Sequence, residues 1–200
     1  MLKLIGFYDY TMVLTYLNLL FAIFGMSQSI NGHYTAAVVC LLISGLCDAF
    51  DGAVARTKKD RTADEKEYGI QLDSLCDAVS FGVAPAFLCY YLGVRGIFGV
   101  MILAAFCLNG VIRLAFFNML ETKRQKTECG CTKFYRGLPI TSTSIILPIT
   151  YCLRWILPES FFGVLLHIVV CVTAFLFVLD FQIPKFDFGK ILIKLNIVKE

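Results

Sequence analysis

Four aspartates stand in segments that are otherwise apolar: Asp48 and Asp51 in one, Asp73 and Asp77 in the next. A carboxylate at the centre of a bilayer helix costs roughly 2.5–3.5 kcal/mol even on the most lenient insertion scale, so four would cost on the order of 10 kcal/mol uncompensated. Something cationic must neutralise them. Carboxylate oxygens are hard ligands and favour Mg²⁺, Mn²⁺ or Ca²⁺ over zinc. Two such ions sharing carboxylates suit in-line displacement at phosphorus, because they stabilise the attacking and leaving oxygens together.

Spacing brings the acids together. Residues three and four apart share a helix face. Ser44, Asp48, Asp51, Gly52 and Ala55 form one stripe, and Gly69, Asp73, Asp77, Ser80 and Ala84 form another. At a helical rise of about 1.5 Å per residue, Asp51 lies about 7.5 Å in from Arg56 and Asp48 about 12 Å in. Counted from Tyr68, Asp73 lies about 7.5 Å in and Asp77 about 13.5 Å in. In two consecutive antiparallel helices the carboxylates then meet at matching depths. Gly52, Ala55 and Gly69 leave room for a bulky ligand against the backbone, and Arg56 offers a fork suited to phosphate oxygens. Close helix packing explains any one small residue equally well, but it does not explain four acids at equal depths.

The elements that must position these residues are membrane helices. The chain has 200 residues, is 58% hydrophobic with mean hydropathy +0.74, and is only 16% charged, against roughly 25% in soluble domains. It reads as one all-α polytopic membrane domain over 1–200, with six transmembrane helices near 11–30, 34–55, 68–92, 96–119, 137–156 and 160–182. The lead-in MLKLIGFYDY lacks a small-residue cleavage site and reads as an interfacial helix, not a removable signal. Lysines and arginines are strongly asymmetric: Lys3, the 56–67 loop, the 120–136 loop and the tail carry 15 of 18, against Arg95 and Arg154 on the other side and Arg113 within a span. The positive-inside rule therefore puts both termini, the charged loops and the acids on the cytoplasmic side of the cell membrane. Seven cysteines fall in apolar segments, where cysteine acts as a small hydrophobe. Cys129 and Cys131 lie in a loop read as cytoplasmic, where thiols stay reduced.

Asp48-AF-Asp51-Gly52-AV-Ala55-Arg56 followed by Gly69-IQL-Asp73-SLC-Asp77 resembles the signature of the CDP-alcohol phosphotransferases. Twelve residues separate Arg56 from Gly69, more than the family's usual spacing; the extra KKDRTADEKE reads as a longer solvated turn. Within the family the likeness is strongest to the integral-membrane, serine-accepting branch. It rests on LDSLCDAVSFGVAPAF (Leu72–Phe87), RLAFFN (Arg113–Asn118), FYRGLPIT (Phe134–Thr141), FQIPKF (Phe181–Phe186) and a first span with Thr15 and Asn18. Phe116 departs from it, standing where relatives often carry a second arginine.

The resemblance implies a reaction between CDP-diacylglycerol and L-serine that releases CMP, supported by two divalent cations, Mg²⁺ or Mn²⁺. It implies that Asp48, Asp51 and Asp73 hold the metals, and that Asp77 both touches a metal and accepts the serine proton. Gly52, Ala55, Arg56 and Gly69 would line the nucleotide. Asn18 would meet the cytidine or diphosphate, or serve only as an interhelical contact. The serine carboxylate calls for a cation, for which Arg113 is the first candidate and Arg136 the second. Arg113 has an alternative role at a lipid phosphate. Ser80 and Asn118 are candidates for the serine amino group. Relatives are homodimers; no nucleic-acid partner is expected. Two alternatives within the family remain, another acceptor (glycerol 3-phosphate or inositol 1-phosphate) and an archaeal ether-lipid substrate. The distant alternative is a divalent-cation transporter, disfavoured because the helices beyond Asp48 and Asp77 are almost wholly apolar.

Overall fold

A computed structural model describes residues 5–58, 60–127 and 134–184, with the backbone alone for 123–127, 134–136 and 182–184. Lys3, Lys59, Cys129, Cys131, Lys133 and the tail lysines lie outside the described residues. The chain is overwhelmingly helical. Five helices among the described residues are long and apolar enough to cross a membrane: Tyr10–Ile30, Tyr34–Ala55, Ala63–Leu92, Gly96–Thr122 and Glu159–Val178.

The first two form a tight antiparallel pair, α1 (Val13–Ile30) and α2 (Tyr34–Ala55). The turn between them passes through Gly32 at φ +78°, a left-handed conformation that glycine adopts without strain. Gly25 lets the backbones approach: a Cβ there would stand 3.1 Å from the Cys40 Cβ and 3.5 Å from the Ala37 carbonyl. Ahead of α1, residues 5–9 form no helix, contrary to the interfacial helix expected from the sequence. Gly6, at φ +108°, breaks any helical path there. These residues cross the 57–68 region as a strap. Asp9 accepts from Lys58 Nζ at 2.7 Å, Tyr10 Oη meets Thr57 Oγ1 at 3.1 Å, and Phe7 packs edge-on against Tyr68 with ring centroids 5.5 Å apart.

The third span starts earlier than the sequence expectation. α3 (Ala63–Asp77) opens on a capping box in which Thr62 Oγ1 accepts from the Glu65 N–H at 3.2 Å and Glu65 Oε2 from the Thr62 N–H at 2.8 Å. These bonds satisfy orphan donors of the first turn, and Asp64 and Glu65 there suit the positive helix end. Half of the expected solvated turn is thus helix. A π-helical stretch, Ala78–Val83, joins α3 to α4 (Ala84–Leu92). α5 runs over Gly96–Thr127, eight residues beyond the expected 119.

The stretch expected to span at 137–156 is not a continuous α-helix. It folds as a 3₁₀ turn (Ile140–Ser142), α6 (Thr143–Cys152) and a second 3₁₀ turn (Leu153–Trp155). Pro139 caps its start and Pro148 lies inside α6, where a missing N–H removes a helical bond. Among the described residues, five long apolar helices therefore stand where the sequence predicts six. α7 (Glu159–Val178) packs along α5. Beyond it, two three-residue strands that the sequence reading does not anticipate, β1 (Phe134–Arg136) and β2 (Gln182–Pro184), pair antiparallel with Tyr135 opposite Ile183. The main apolar core gathers Phe81, Phe106, Leu166, Val170 and Phe177 between the π-helical stretch, α5 and α7.

Candidate active site

The two acid-bearing helices deliver their carboxylates to one place. Asp48, Asp73 and Asp77 each offer an oxygen within 4.8 Å of the others. Asp51 joins them in a layered arrangement, Asp48 facing Asp77 and Asp51 facing Asp73. Those are the pairs that equal helical depth predicts. Two ionised carboxylates at such separation repel by roughly 3–4 kcal/mol at an effective dielectric near 20. A shared cation removes that repulsion.

α1 supplies a second ring around the acids. Thr15 Oγ1 donates to Asp51 Oδ2 at 3.3 Å, and Asn18 Nδ2 donates to Asp77 Oδ1 at 3.1 Å. The Asn18 amide is oriented in turn by Ser44, whose hydroxyl donates to Asn18 Oδ1 and to its backbone carbonyl at 3.0 Å. Asn18 and Ser44 are fully buried. A buried amide flanked by a hydroxyl and a carboxylate has one satisfied orientation, so Asp77 is held by a chain of fixed side chains. Sequence reasoning assigned no site role to Thr15 or Ser44. The signal was present, since Thr15 and Asn18 are polar residues three apart on an apolar helix.

The donor set fits a divalent cation. All four groups are carboxylates, and Asp73 Oδ1 is buried with no hydrogen-bond partner among the described residues. A buried unsatisfied acceptor is costly and rare, and a hard cation would satisfy it.

The other expected residues divide. A Cβ on Gly52 would meet nothing within 4 Å, so open space borders the acids there, with Ala55 half-buried and Arg56 exposed beside it. Gly69 is different: the Arg61 side chain lies on it, with Nη2 2.6 Å from where a Cβ would stand. Ser80 is fully buried within the π-helical stretch, its hydroxyl without a partner among the described residues. Asn118 does not stand alone: its Nδ2 donates to Ser74 Oγ at 2.8 Å, and Ser74 donates back to Oδ1 at 3.1 Å. This ties α5 to the residue after Asp73. Arg113, 7% exposed, stacks over the Phe117 ring at 5.5 Å from its centroid. Its Nε lies 3.6 Å from the Cβ position of Gly137, which follows β1 at φ +72°. Arg136 sits in β1 opposite Gln182, and its side chain lies outside the described residues. The segments FYRGLPIT and FQIPKF, far apart in sequence, meet in this ribbon.

Comparison with known proteins adds the family. The sequence profile of the CDP-alcohol phosphatidyltransferases matches residues 10–182. A CDP-diacylglycerol–serine O-phosphatidyltransferase of Saccharomyces cerevisiae is 39% identical over 125 residues, 61% of this chain and 44% of that protein. An archaetidylserine synthase of Methanothermobacter thermautotrophicus is 36% identical over 124 residues, 62% of this chain and 49% of that protein. A CDP-diacylglycerol–serine O-phosphatidyltransferase of Bacillus subtilis is 28% identical over 162 residues, covering 80% of this chain and 81% of its own length. The matched region thus spans about half of the first two relatives.

Proposed function

The chain belongs to the CDP-alcohol phosphatidyltransferase family, and from that premise we propose that it transfers the phosphatidyl group of CDP-diacylglycerol to L-serine. The observation that carries this reading is the convergence of four carboxylates from α2 and α3, one with an unsatisfied oxygen, in a chain whose relatives are named for serine transfer. The serine hydroxyl oxygen forms a bond to the phosphorus that carries diacylglycerol. The bond from that phosphorus to the CMP phosphate oxygen breaks, and CMP leaves. Asp77 receives the hydroxyl proton, a task that requires a fixed carboxylate within hydrogen-bond reach. Asn18 and Ser44 keep it there. Asp48, Asp51, Asp73 and Asp77 would hold two divalent cations, Mg²⁺ or Mn²⁺, which supply charge neutralisation for the diphosphate.

Gly52, Ala55 and Arg56 border the nucleotide, with Gly69 and Asn18 at its edges. Arg113 or Arg136 meets the serine carboxylate, with Ser80 and Asn118 as candidates for its amino group. The charged loops and the site face the cytoplasm of the cell membrane, in keeping with the lysine and arginine asymmetry. The working unit is a homodimer with the lipid substrate's tails in the bilayer, and the segment around α6 completes the sixth crossing.

The test is CMP release by purified protein in detergent with CDP-diacylglycerol and, in separate reactions, serine, glycerol 3-phosphate, inositol 1-phosphate or water. Serine-dependent release is expected, and a parallel series with an ether-linked CDP-lipid reads the tail preference. Faster release with glycerol 3-phosphate than with serine would overturn the acceptor assignment and leave the carboxylate site standing.

A further inference from the structure

Arg61 lies in the stretch that lengthens this chain's link between the two acid-bearing helices, and no part of the signature includes it. Its side chain folds back across α3. The guanidinium occupies the hollow left by Gly69, where a Cβ would stand 2.6 Å from Nη2 and 3.7 Å from Cζ. A Cβ at 69 would force the guanidinium to shift from this hollow. Nη2 donates to the Glu65 carbonyl at 3.1 Å, while Nε is buried without a hydrogen-bond partner among the described residues. No carboxylate pairs with Arg61 among those residues. Lys58, the neighbouring cation, is by contrast committed to Asp9 at 2.7 Å and Glu65 at 3.5 Å.

The location matters as much as the missing partner. The Gly69 hollow is also bordered by Met12, whose Cε is 4.0 Å away. Met12 and Gly69 stand one helical turn before Thr15 and Asp73, the residues that contact Asp51. Arg61 therefore sits on the charged-loop side of the Asp51–Asp73 layer, displaced by about one 5.4 Å turn. The Thr62 capping box anchors the backbone immediately after it, so the fork is presented from a fixed point. A sheltered guanidinium with unused donors needs an anion, and its planar fork matches two phosphate oxygens.

We propose that Arg61 is a diphosphate-binding residue, gripping the nucleoside diphosphate from the side opposite the carboxylates. This rests on the reading of the site given above. A diphosphate has oxygens to offer in both directions, toward cations held by the aspartates and toward a guanidinium one turn away. Gly69 is then needed to seat the arginine.

The experiment is calorimetric titration of the full-length protein in detergent with Mg²⁺, using CDP, CMP and cytidine as probes, for wild type, Arg61→Gln and Arg61→Lys. Loss of a charge-assisted hydrogen-bonded contact is expected to weaken CDP binding about tenfold to a hundredfold in Arg61→Gln. Cytidine binding should be unchanged. Arg61→Lys should be intermediate, since it keeps the charge and loses the fork. If Arg61→Gln does not fold, the ratio of CDP to cytidine affinity in Arg61→Lys decides the matter, an unchanged ratio overturning the proposal. Wild-type CDP affinity in Arg61→Gln overturns the role of Arg61 alone, as does a rise in the KM for serine with CDP binding unchanged. A wild type that binds no CDP overturns the substrate reading and this proposal with it.

Discussion

The carboxylate layer among α1, α2 and α3, with Asp48 and Asp73 half-buried, and the fully buried aromatic layer between the π-helical stretch, α5 and α7 are held by opposite means. In the first, fully buried Asn18 and Ser44 hold Asp77, which is 6% exposed, through directional bonds. In the second, Phe81, Phe106 and Phe177 are each at most 2% exposed and meet by shape, with the rings of Phe106 and Phe177 5.3 Å apart. Gly110 brings Ile140 close enough that a Cβ there would stand 2.7 Å from its Cδ1. Lipid tails are as apolar as leucine, so within a bilayer such a layer gains by packing rather than by escape from water. The aromatic layer is complete as it stands. The carboxylate layer is not, because its charges repel and Asp73 Oδ1 has no donor among the described residues.

That contrast can be broken most severely at the acids. Asp48→Ala, Asp51→Ala or Asp73→Ala should abolish CMP release, and a chelator should do the same to the wild type. Melting temperatures measured in chelator should not fall for these variants, since each removes repulsion. A chelated wild type with full turnover would end the two-cation reading. Next in size is Asp77→Asn, expected to lose the 10²–10⁴-fold typical of a missing general base while CDP titration still shows binding. Third, Asn18→Ala and Phe177→Ala should separate the layers. The first should lower kcat about tenfold, the worth of a hydrogen bond to a charged group, with little change in melting. The second should lower the melting temperature clearly, as buried Phe→Ala does at about 3–5 kcal/mol in soluble cores, with kcat of the folded fraction retained.

The smallest effect belongs to the strap. The hydrogen bond from Lys58 holds the Asp9 carboxyl below its ordinary 3.8, and the same bond to Asp9 holds the Lys58 amine above its ordinary 10.5. The depressed carboxylate contributes stability above its ordinary value and loses it as pH falls through the lower folded value. The raised amine contributes below its ordinary value and loses it as pH rises through the higher one. The tie is therefore constant between about pH 5 and 9, and Asp9→Asn should shift melting by the same small amount at pH 6 and pH 8. A shift that differs between those two pH values would show another group acting on the strap.

Most of the carboxylate layer was legible in the sequence, because helical rise and a three-to-four residue spacing fix which acids share a depth. The ring around it was half legible. Asn18 stood out as a polar residue in an apolar span, but its bond to Asp77 depends on how α1 packs against α3, which periodicity does not encode. The start of α3 was misplaced because charge suggested solvent, although Thr62 and Glu65 carry a capping box in plain view. The break around α6 was written in Pro139 and Pro148, whereas the β1–β2 pairing joins segments nearly fifty residues apart by backbone bonds with no side-chain signature. Arg61 was unreadable as more than a loop cation, since its direction is a property of the turn.

The π-helical stretch Ala78–Val83 begins immediately after Asp77. Each residue of a helix is worth roughly 100° of rotation, and a π-turn absorbs an additional residue without interrupting the rod. The polar stripe of α3 and the buried side of α4 are therefore set by independent dials on a single membrane crossing. A one-residue insertion or deletion here re-aims the acids against the rest of the bundle while sparing its helical hydrogen bonds.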